Sequence, residues 1–381
     1  MASPLIGITG AGIGGLAAAI ALRRLGFEVA VFEQAAQFAR VGADINLTPN
    51  AVRALDGLGL GVGEALRETA AQPTYRISRM WDSGEVTSKL EMARAAEESY
   101  GAPQLTMHRA DLMQALENAL PAGVVHLGKR VSTVGQGRDS VELAFADGTT
   151  HEVDVLIGAD GIHSAVRTAM FGPEHPDFTG VVAYRAVVPA QRLAGVPNLD
   201  AFTKWWGPAP ESQIVTFPLN RGRDIFIFAT TPQDSWRHES WTTPGSVDEL
   251  RAAYVDFHPE ARALLEACDS VLKSALYVRD PLPVWSAGRM TLLGDACHPM
   301  MPFMAQGAGM AIEDAVVLSR HLSGVDLSTQ ASVSQALQRY EQSRRERTAR
   351  VQIGSRGNNW LKAGGNADWV YAYDAWQVPL A

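Results

Sequence analysis

The chain opens on a short apolar run, Leu5-Ile-Gly-Ile-Thr9, followed by a stretch of small residues, Gly14-Gly-Leu-Ala-Ala-Ala-Ile20. The first fits a buried strand and the second a helix packed closely on it. A second apolar run, Phe27-Glu-Val-Ala-Val-Phe32, then predicts a second strand ending on an acid, Glu33. Between the first strand and the helix stand Gly10, Gly12 and Gly15, spaced G-x-G-x-x-G. In this context Gly10 makes the tight turn, Gly12 lets backbone N–H groups approach a pyrophosphate, and Gly15 lets helix and strand pack closely. The helix N-terminus adds unpaired donors and partial positive charge. Glu33, 18 positions after Gly15, falls where a carboxylate accepts the ribose hydroxyls of an adenine dinucleotide.

Further along, the pattern changes several times. A turn-rich stretch from Arg40 to Asn50 leads into an apolar helix over about 51–60, with Pro49 suited to its first turn. Tyr100 to Leu112 predicts a short strand and a helix capped by Asp111, with Arg109 at the junction. Arg109 there is either an anion-holding group or an ordinary surface arginine. Val124–Val131 reads as a strand and Ser140–Val153 as a hairpin turning at Asp147-Gly148. Asp154 to Ser164 reads as a buried strand ending in Gly158-Ala-Asp160-Gly161, with Ser164 to cap the next helix.

From Gly180 to about Pro281 the residues alternate and are rich in Trp, Phe and Tyr, which predicts an antiparallel sheet. Its aromatic residues form either a lid for a flat ligand or an ordinary sheet core. Val284 to Pro299 returns to a buried strand with Asp295 at its end. A second Gly-rich loop, around Gly307, Ala308 and Met310, opens the next helix and offers another anion site. The stretch from Val317 to Arg350 is mostly helical, and Arg344, Arg345 and Arg347 read as its solvated face. An aromatic tail, Trp360 to Trp376, is expected to pack back on the body.

The fold class that follows is α/β. A Rossmann-like nucleotide-binding domain is interleaved with an antiparallel-sheet substrate domain, and the C-terminus is helical. The expected nucleotide-binding segments are 1–72, 100–178 and 283–350. The sheet domain takes 73–99 and 179–282, and 351–381 is the tail.

Composition narrows the options. With 381 residues, 46% hydrophobic and 19% charged, the chain can bury a large core. A net charge of -8 argues against nucleic acid as a partner. Two cysteines, Cys268 and Cys297, make neither a disulfide framework nor a four-thiolate metal site, and reduced thiols suit a cytoplasmic protein. No signal peptide and no membrane span is expected. No metal-ligand cluster is apparent.

Three motifs thus stand in order: Gly10 to Gly15 with Glu33, Gly158-Ala-Asp-Gly161, and Gly294-Asp295-Ala-Cys-His-Pro299. Together they resemble the single-component FAD-dependent aromatic hydroxylases, the group A flavoprotein monooxygenases, over nearly the whole chain. The likeness is strongest to the branch that hydroxylates 6-hydroxynicotinate, through Phe145-Ala-Asp-Gly148, Ile157 to Ser164, Lys204-Trp-Trp206, Leu293 to Pro299, Met304-Ala-Gln-Gly307 and Trp369 to Tyr373. Salicylate and 3-hydroxybenzoate hydroxylases resemble it less.

The resemblance implies a p-hydroxybenzoate hydroxylase-like fold, FAD as cofactor, NADH or NADPH as co-substrate, and O2. It implies hydroxylation of a small hydroxylated aromatic or pyridine carboxylate through a flavin C4a-hydroperoxide, in a monomer or homodimer. By the same likeness Gly14 and Gly15 face the pyrophosphate, and Glu33 and Gln34 meet the adenosine ribose. Val131 lines the adenine, Arg109 touches the phosphates or flavin edge, and Asp295 holds the ribityl or pyrophosphate portion. Gly307, Ala308 and Met310 bring backbone donors to the flavin pyrimidine ring, the Asp160 turn serves FAD and a transient nicotinamide, and Arg40 and Asn46 complete the set. For the substrate side the candidates are Asn46, Tyr184, Gln213, Thr216, Phe217 and Phe303. Here the chain departs from the branch it resembles. Asn46 and Phe303 replace histidines, Phe202 replaces a cysteine, and no general base is evident. Other flavin enzymes, such as a halogenase or dehydrogenase, and a non-catalytic flavin-binding protein are the alternative readings.

Overall fold

The structure is a computed structural model, and it describes residues 4–38, 44–236 and 243–381. The opening apolar run forms a strand, Leu5–Thr9, at the centre of a six-stranded sheet. It pairs in parallel with Glu28–Phe32 on one side and Val155–Gly158 on the other. Met290–Leu292 continues the parallel order beyond Val155–Gly158. These strands are buried almost throughout, as expected of a parallel sheet covered on both faces. The helix Ile13–Arg24 lies on this sheet with Leu16, Ile20 and Leu22 wholly buried, each worth about 1.5–3 kcal/mol. A three-stranded sheet over residues 131–153 flanks it and includes the hairpin at Asp147-Gly148.

The aromatic, alternating region forms an eight-stranded sheet together with two earlier strands, Tyr75–Met80 and Val86–Glu91. Its long strands, Asp177–Pro189, Gln213–Leu219 and Asp224–Pro232, pair antiparallel. Phe202–Trp206 joins Tyr75–Met80 in parallel. One face of this sheet packs against the helices Val247–Ala253 and Pro259–Glu266 through a core containing Tyr184, Trp205, Ile214 and Leu264. The opposite face carries Phe202, Phe217, Phe226 and Phe228, together with Met301 and Phe303 from the loop after the parallel sheet.

Three local expectations need correction. The helix after Leu105–Met107 begins at Arg109, and its cap is His108, whose Nδ1 accepts from the Ala110 N–H at 3.2 Å. Asp111 sits within the first turn, where its charge still suits the helix dipole. Val124–Val131 is not one strand: Val125–His126 edges the parallel sheet and Val131–Gln136 belongs to the three-stranded one. Arg344 is not solvated but wholly buried on the helix Gln330–Arg356. The tail packs back, with Val370 and Tyr371 buried and the Trp376 indole donating to the Ala54 carbonyl at 3.0 Å.

Candidate active site

A single cavity of about 890 Å³ runs from the glycine loop to the aromatic face of the eight-stranded sheet. It opens at the C-terminal ends of the parallel strands, where open α/β sheets bind ligands. Gly10 has φ +91°, and a Cβ there would lie 2.5 Å from the Ala159 carbonyl oxygen. A Cβ on Gly15 would lie 2.0 Å from the Gly10 oxygen, and one on Gly14 would lie 2.5 Å from Leu293 Cδ2. These glycines allow close packing. Gly12 differs, because a Cβ there would meet nothing within 4 Å. It would project into the space that a pyrophosphate needs, in front of a helix N-terminus.

Glu33 lines the same end, and its carboxylate is oriented from both sides. The Ala11 N–H donates to Oε2 and the Ala35 N–H to Oε1, each at 2.8 Å. Gln34 and Val131 also line this end. Asp160 borders the cavity, but its carboxylate accepts from the Ser164 hydroxyl and from the N–H groups of Ala165, at 2.7 Å, and Val166, at 3.2 Å. It therefore holds the next helix start as well as the cavity wall. Arg109, Asp295, Gly307 and Ala308 line the middle of the cavity. Burial among the surrounding loops pushes the Asp295 carboxyl up, while His298 and Arg109 pull it down. Asn46 is buried at the cavity wall, its Oδ1 accepting from Gln104 at 2.6 Å and its Nδ2 without a partner. The open space at Gly12 and the oriented carboxylate of Glu33 at the same end of the cavity show that these residues suit a dinucleotide. Met310 does not line the cavity; it turns inward on the helix Gly307–Leu322, and Arg344 packs against it. Arg40 lies outside the described residues.

The loop carrying Gly307 is fixed from behind by a buried charge network. Glu313 takes Asn50 at 2.7 Å, Arg344 at 2.8 Å and Arg347 at 2.8 Å. Asp314 takes Arg344 at 2.7 Å, His298 at 2.5 Å and the Gly294 N–H at 3.1 Å. Burial alone would lower the basicity of His298, but Cys297 and Asp314 beside it raise it well above the ordinary value. The Cys297, His298 and Asp314 ligand atoms lie within 4.8 Å of one another, a grouping that could hold a metal ion. Asp314 is already paired there with Arg344 and His298, so the group reads as an ion-pair network.

At the far end the strands of the eight-stranded sheet turn alternate residues inward. Phe202 and Phe217 stack with centroids 5.4 Å apart and planes at 6°. Gln213 lines the wall between them and the loop, with Oε1 unpartnered, and Phe303 closes it from the loop side. Tyr184 and Thr216, expected here, do not reach the cavity. Strand alternation puts Tyr184 on the opposite face with Ile214 and Trp205, and puts Thr216 out of phase with Val215 and Phe217. The Tyr184 hydroxyl is consequently engaged by Lys273 and Glu249.

Charged residues on the walls that were not singled out from the sequence include Asp44, Arg76, Arg185 and Lys204, besides Lys129 and Arg130 near the adenine end. Burial pushes the Asp44 carboxyl up to about 6, against the pull of Arg185 and Arg109. Burial lowers Arg185, with Asp44 opposing. Burial, then Arg76 and Lys362, holds Lys204 well below the ordinary lysine range. The signal that could have found them is a charge at an inward position of an alternating strand, as in Phe202-Thr-Lys204 and Ala183-Tyr-Arg185.

Comparison with known proteins agrees with this architecture. A family model described as an FAD binding domain matches residues 4–354. A 6-hydroxynicotinate 3-monooxygenase of Bordetella bronchiseptica is 42% identical over 99% of this chain and 97% of its own. A salicylate hydroxylase of Pseudomonas putida is 35% identical over 91% of this chain and 83% of its own. Among solved structures, a salicylate hydroxylase substrate complex superposes with a TM-score of 0.83 at 28% identity, covering 98% and 96% of the two chains. Klebsiella pneumoniae HpxO, solved with FAD and uric acid, gives 0.82 at 27% identity, covering 97% and 91%. With a glycine cradle, the oriented carboxylate of Glu33 and an aromatic wall on one cavity, and matches of this extent, the chain belongs to the FAD-dependent aromatic hydroxylases, the flavoprotein monooxygenases of the FAD-binding-domain family.

Proposed function

We propose that the ring substrate is a flat hydroxylated pyridine or benzene carboxylate, with 6-hydroxynicotinate first and salicylate or 3-hydroxybenzoate second. The observation that carries this reading is the single cavity joining the glycine loop to the stacked pair Phe202 and Phe217. In the overall reaction one atom of O2 enters the ring and the other leaves as water. NAD(P)H supplies two electrons.

FAD, when bound, supplies the oxygen-activating chemistry. The chain supplies binding, orientation and exclusion of water. Gly12 and Gly14 would hold the pyrophosphate at the helix start, Glu33 and Gln34 the ribose, and Val131 the adenine. Asp295, Arg109 and Asn46 would hold the middle of the cofactor. The backbone N–H groups of Gly307 and Ala308 would face the flavin ring, where negative charge develops on reduction. The stacked pair Phe202 and Phe217, with Phe303, would wall the substrate ring and keep water away from it. Gln213, on the cavity wall, would hydrogen-bond a ring substituent through its side-chain amide. His163 is on the cavity wall, in the turn after the parallel strand Val155–Gly158, and the wall residues Phe202, Phe217, Gln213 and Phe303 include no histidine, which supports a substrate acidic or electron-rich enough to need no imidazole base.

The two thiols are buried and free, which supports a reducing, cytoplasmic setting. Among the described residues no helix is long and apolar enough to cross a membrane. The test is a panel of hydroxylated pyridine and benzene carboxylates scored by substrate-stimulated NADH and NADPH oxidation, with product identified by mass. A product heavier by one oxygen supports the reading, as does one formed by hydroxylation with loss of CO2. Oxidation without an oxygenated product rejects it.

A further inference from the structure

The strands Ile45–Leu47 and Leu105–Met107 pair antiparallel as a two-stranded ribbon. In it Asn46 stands opposite Thr106, whose hydroxyl donates to the Pro218 carbonyl at 2.6 Å. Pro218 follows Phe217, so the ribbon is pinned to a strand of the aromatic wall. Asp44 immediately precedes the ribbon. It lies two residues before Asn46, which puts the two side chains on one face, and both line the cavity.

Asp44 is half-buried, and two guanidinium groups from other elements act on it. Arg109 opens the helix Arg109–Asn118, and Arg185 stands on the strand Asp177–Pro189. The Arg185 guanidinium lies 5.3 Å from the centroid of the Phe228 ring and donates to the Ser274 hydroxyl. Phe228 shares its cluster with Phe202, Phe217 and Phe303. The carboxylate thus belongs to the ring end of the cavity. An ionised carboxylate only accepts, and a guanidinium only donates. This edge of the wall is therefore an acceptor flanked by donors. Its complement is a flat donor flanked by an acceptor. A pyridine with its hydroxyl next to the ring nitrogen has that form, because in water it is chiefly the cyclic amide, with N–H beside C=O. A benzene ring with the same substituents has no ring N–H.

We propose that Asp44 is a specificity-determining residue that accepts a hydrogen bond from the ring N–H of a cyclic-amide substrate. This assignment rests on the reading of the cavity as a ring-hydroxylation site and deepens it, because it selects the pyridine class over the benzene class.

The experiment uses FAD-loaded full-length protein and a matched pair, 6-hydroxynicotinate and 4-hydroxybenzoate. Both carry the oxygen para to the carboxylate, and they differ at the ring nitrogen. Binding is followed by perturbation of the flavin absorbance. Wild type should bind 6-hydroxynicotinate tighter than 4-hydroxybenzoate by about tenfold or more, as expected of a hydrogen bond to a charged group. Asp44→Ala should weaken 6-hydroxynicotinate by about tenfold or more and change 4-hydroxybenzoate by less than about threefold. Asp44→Asn keeps an acceptor oxygen and should recover part of the loss; it also serves if Asp44→Ala does not fold around FAD. A second readout follows from burial, which pushes the Asp44 carboxyl up to about 6. As pH falls through that value the acceptor is protonated, so the affinity of wild type for 6-hydroxynicotinate should fall severalfold, while that of Asp44→Asn should not. Arg109 and Arg185, which face Asp44, keep their charge throughout. His108, next in the ribbon register, and His163, on the cavity wall, are common to both proteins.

The proposal is overturned by equal binding of the two acids to wild type, by failure of 6-hydroxynicotinate to bind, by an Asp44→Ala variant that weakens both acids alike, or by the same pH dependence in wild type and Asp44→Asn. Hydroxylation of a panel compound together with any of these results removes the role of Asp44 and leaves the monooxygenase reading standing. Binding of 6-hydroxynicotinate that depends on Asp44, without substrate-stimulated NAD(P)H oxidation, keeps that role and removes the hydroxylation reading.

Discussion

Glu33 accepts two backbone donors from segments on either side of it, so its carboxylate is aimed before any ligand arrives. Glu33→Ala should weaken FAD binding by roughly 10–100-fold, since a hydrogen bond to a charged group contributes about 1.5–3 kcal/mol. Fluorescence titration of the flavin-free protein measures this, and unchanged affinity would reduce Glu33 to a clamp on its own loop. Phe303 closes the other end and cannot take a proton. Phe303→His places an imidazole near Lys204, whose ammonium is 5.6 Å from the present ring. The variant should add a titration to the kcat/KM profile below the ordinary value of about 6.5, because neighbouring cations disfavour imidazolium. Superimposable profiles for wild type and variant would place the side chain outside the reacting pocket. Residues of the two kinds differed in how readable they were. Gly10, Gly12, Gly15 and Glu33 act through backbone geometry at fixed spacing, which a single sequence displays. Arg76 and Lys204 come together on the cavity wall through the pairing of two strands more than a hundred positions apart, and neither segment alone announces it.

At the scale of elements, the helix Gly307–Leu322 joins the cavity to the buried charges behind it. The apolar pattern predicts a mostly helical stretch over 317–350, which the structure divides into two helices, Gly307–Leu322 and Gln330–Arg356; Arg345 is exposed as expected, but Arg344 and Arg347 also read as solvent-facing because their acid partners lie on the other helix. Arg344→Met should cost about 3–5 kcal/mol, since it leaves Glu313 and Asp314 buried with less cationic compensation. Denaturant unfolding of the flavin-free protein measures it. A cost under about 1 kcal/mol would mean that Arg347 and His298 suffice. The C-terminal end of the same helix is pH-sensitive. His321 is lowered from 6.5 to about 4 by burial and by Arg320 and Arg339, and its Nε2 pairs with the Ser343 hydroxyl. Its folded form refuses a proton that the unfolded chain accepts. The associated stability is therefore present above pH 6.5 and is lost as pH falls toward 4. Because the ring is half-buried, the loss is about 1–2 kcal/mol. His321→Gln should flatten that part of a Tm-against-pH curve, and an unchanged slope between pH 6.5 and 4 would assign the effect elsewhere.

For the whole molecule, the order of apolar runs and glycine motifs pointed to an α/β chain with one parallel and one large antiparallel sheet, while the cavity between those two sheets needed three-dimensional packing to appear. The open space at Gly12, in front of a helix start, is room for a phosphate that the folded chain offers and the unfolded chain does not. FAD should therefore raise stability by mass action, by about 2.7 kcal/mol at a free concentration 100 times its Kd. The purified protein should be yellow, and denaturation should release FAD; release of FMN would contradict the placement of Glu33 at a ribose.

The cavity is closed by contacts that are remote in sequence. Asn50 reaches Gln306 across 256 positions and Glu313 across 263, and the central strand Leu5–Thr9 waits for Val155–Gly158 before it has neighbours on both sides. During synthesis the glycine loop emerges first and its opposite wall close to last. The nascent chain thus exposes half of a dinucleotide site for most of translation, with nothing to hold a ligand there. Flavin capture becomes a late event, following completion of the helix that carries Arg344 and Arg347. Loss of the last quarter of the chain would abolish cofactor binding even though the nucleotide motif at the other end is intact.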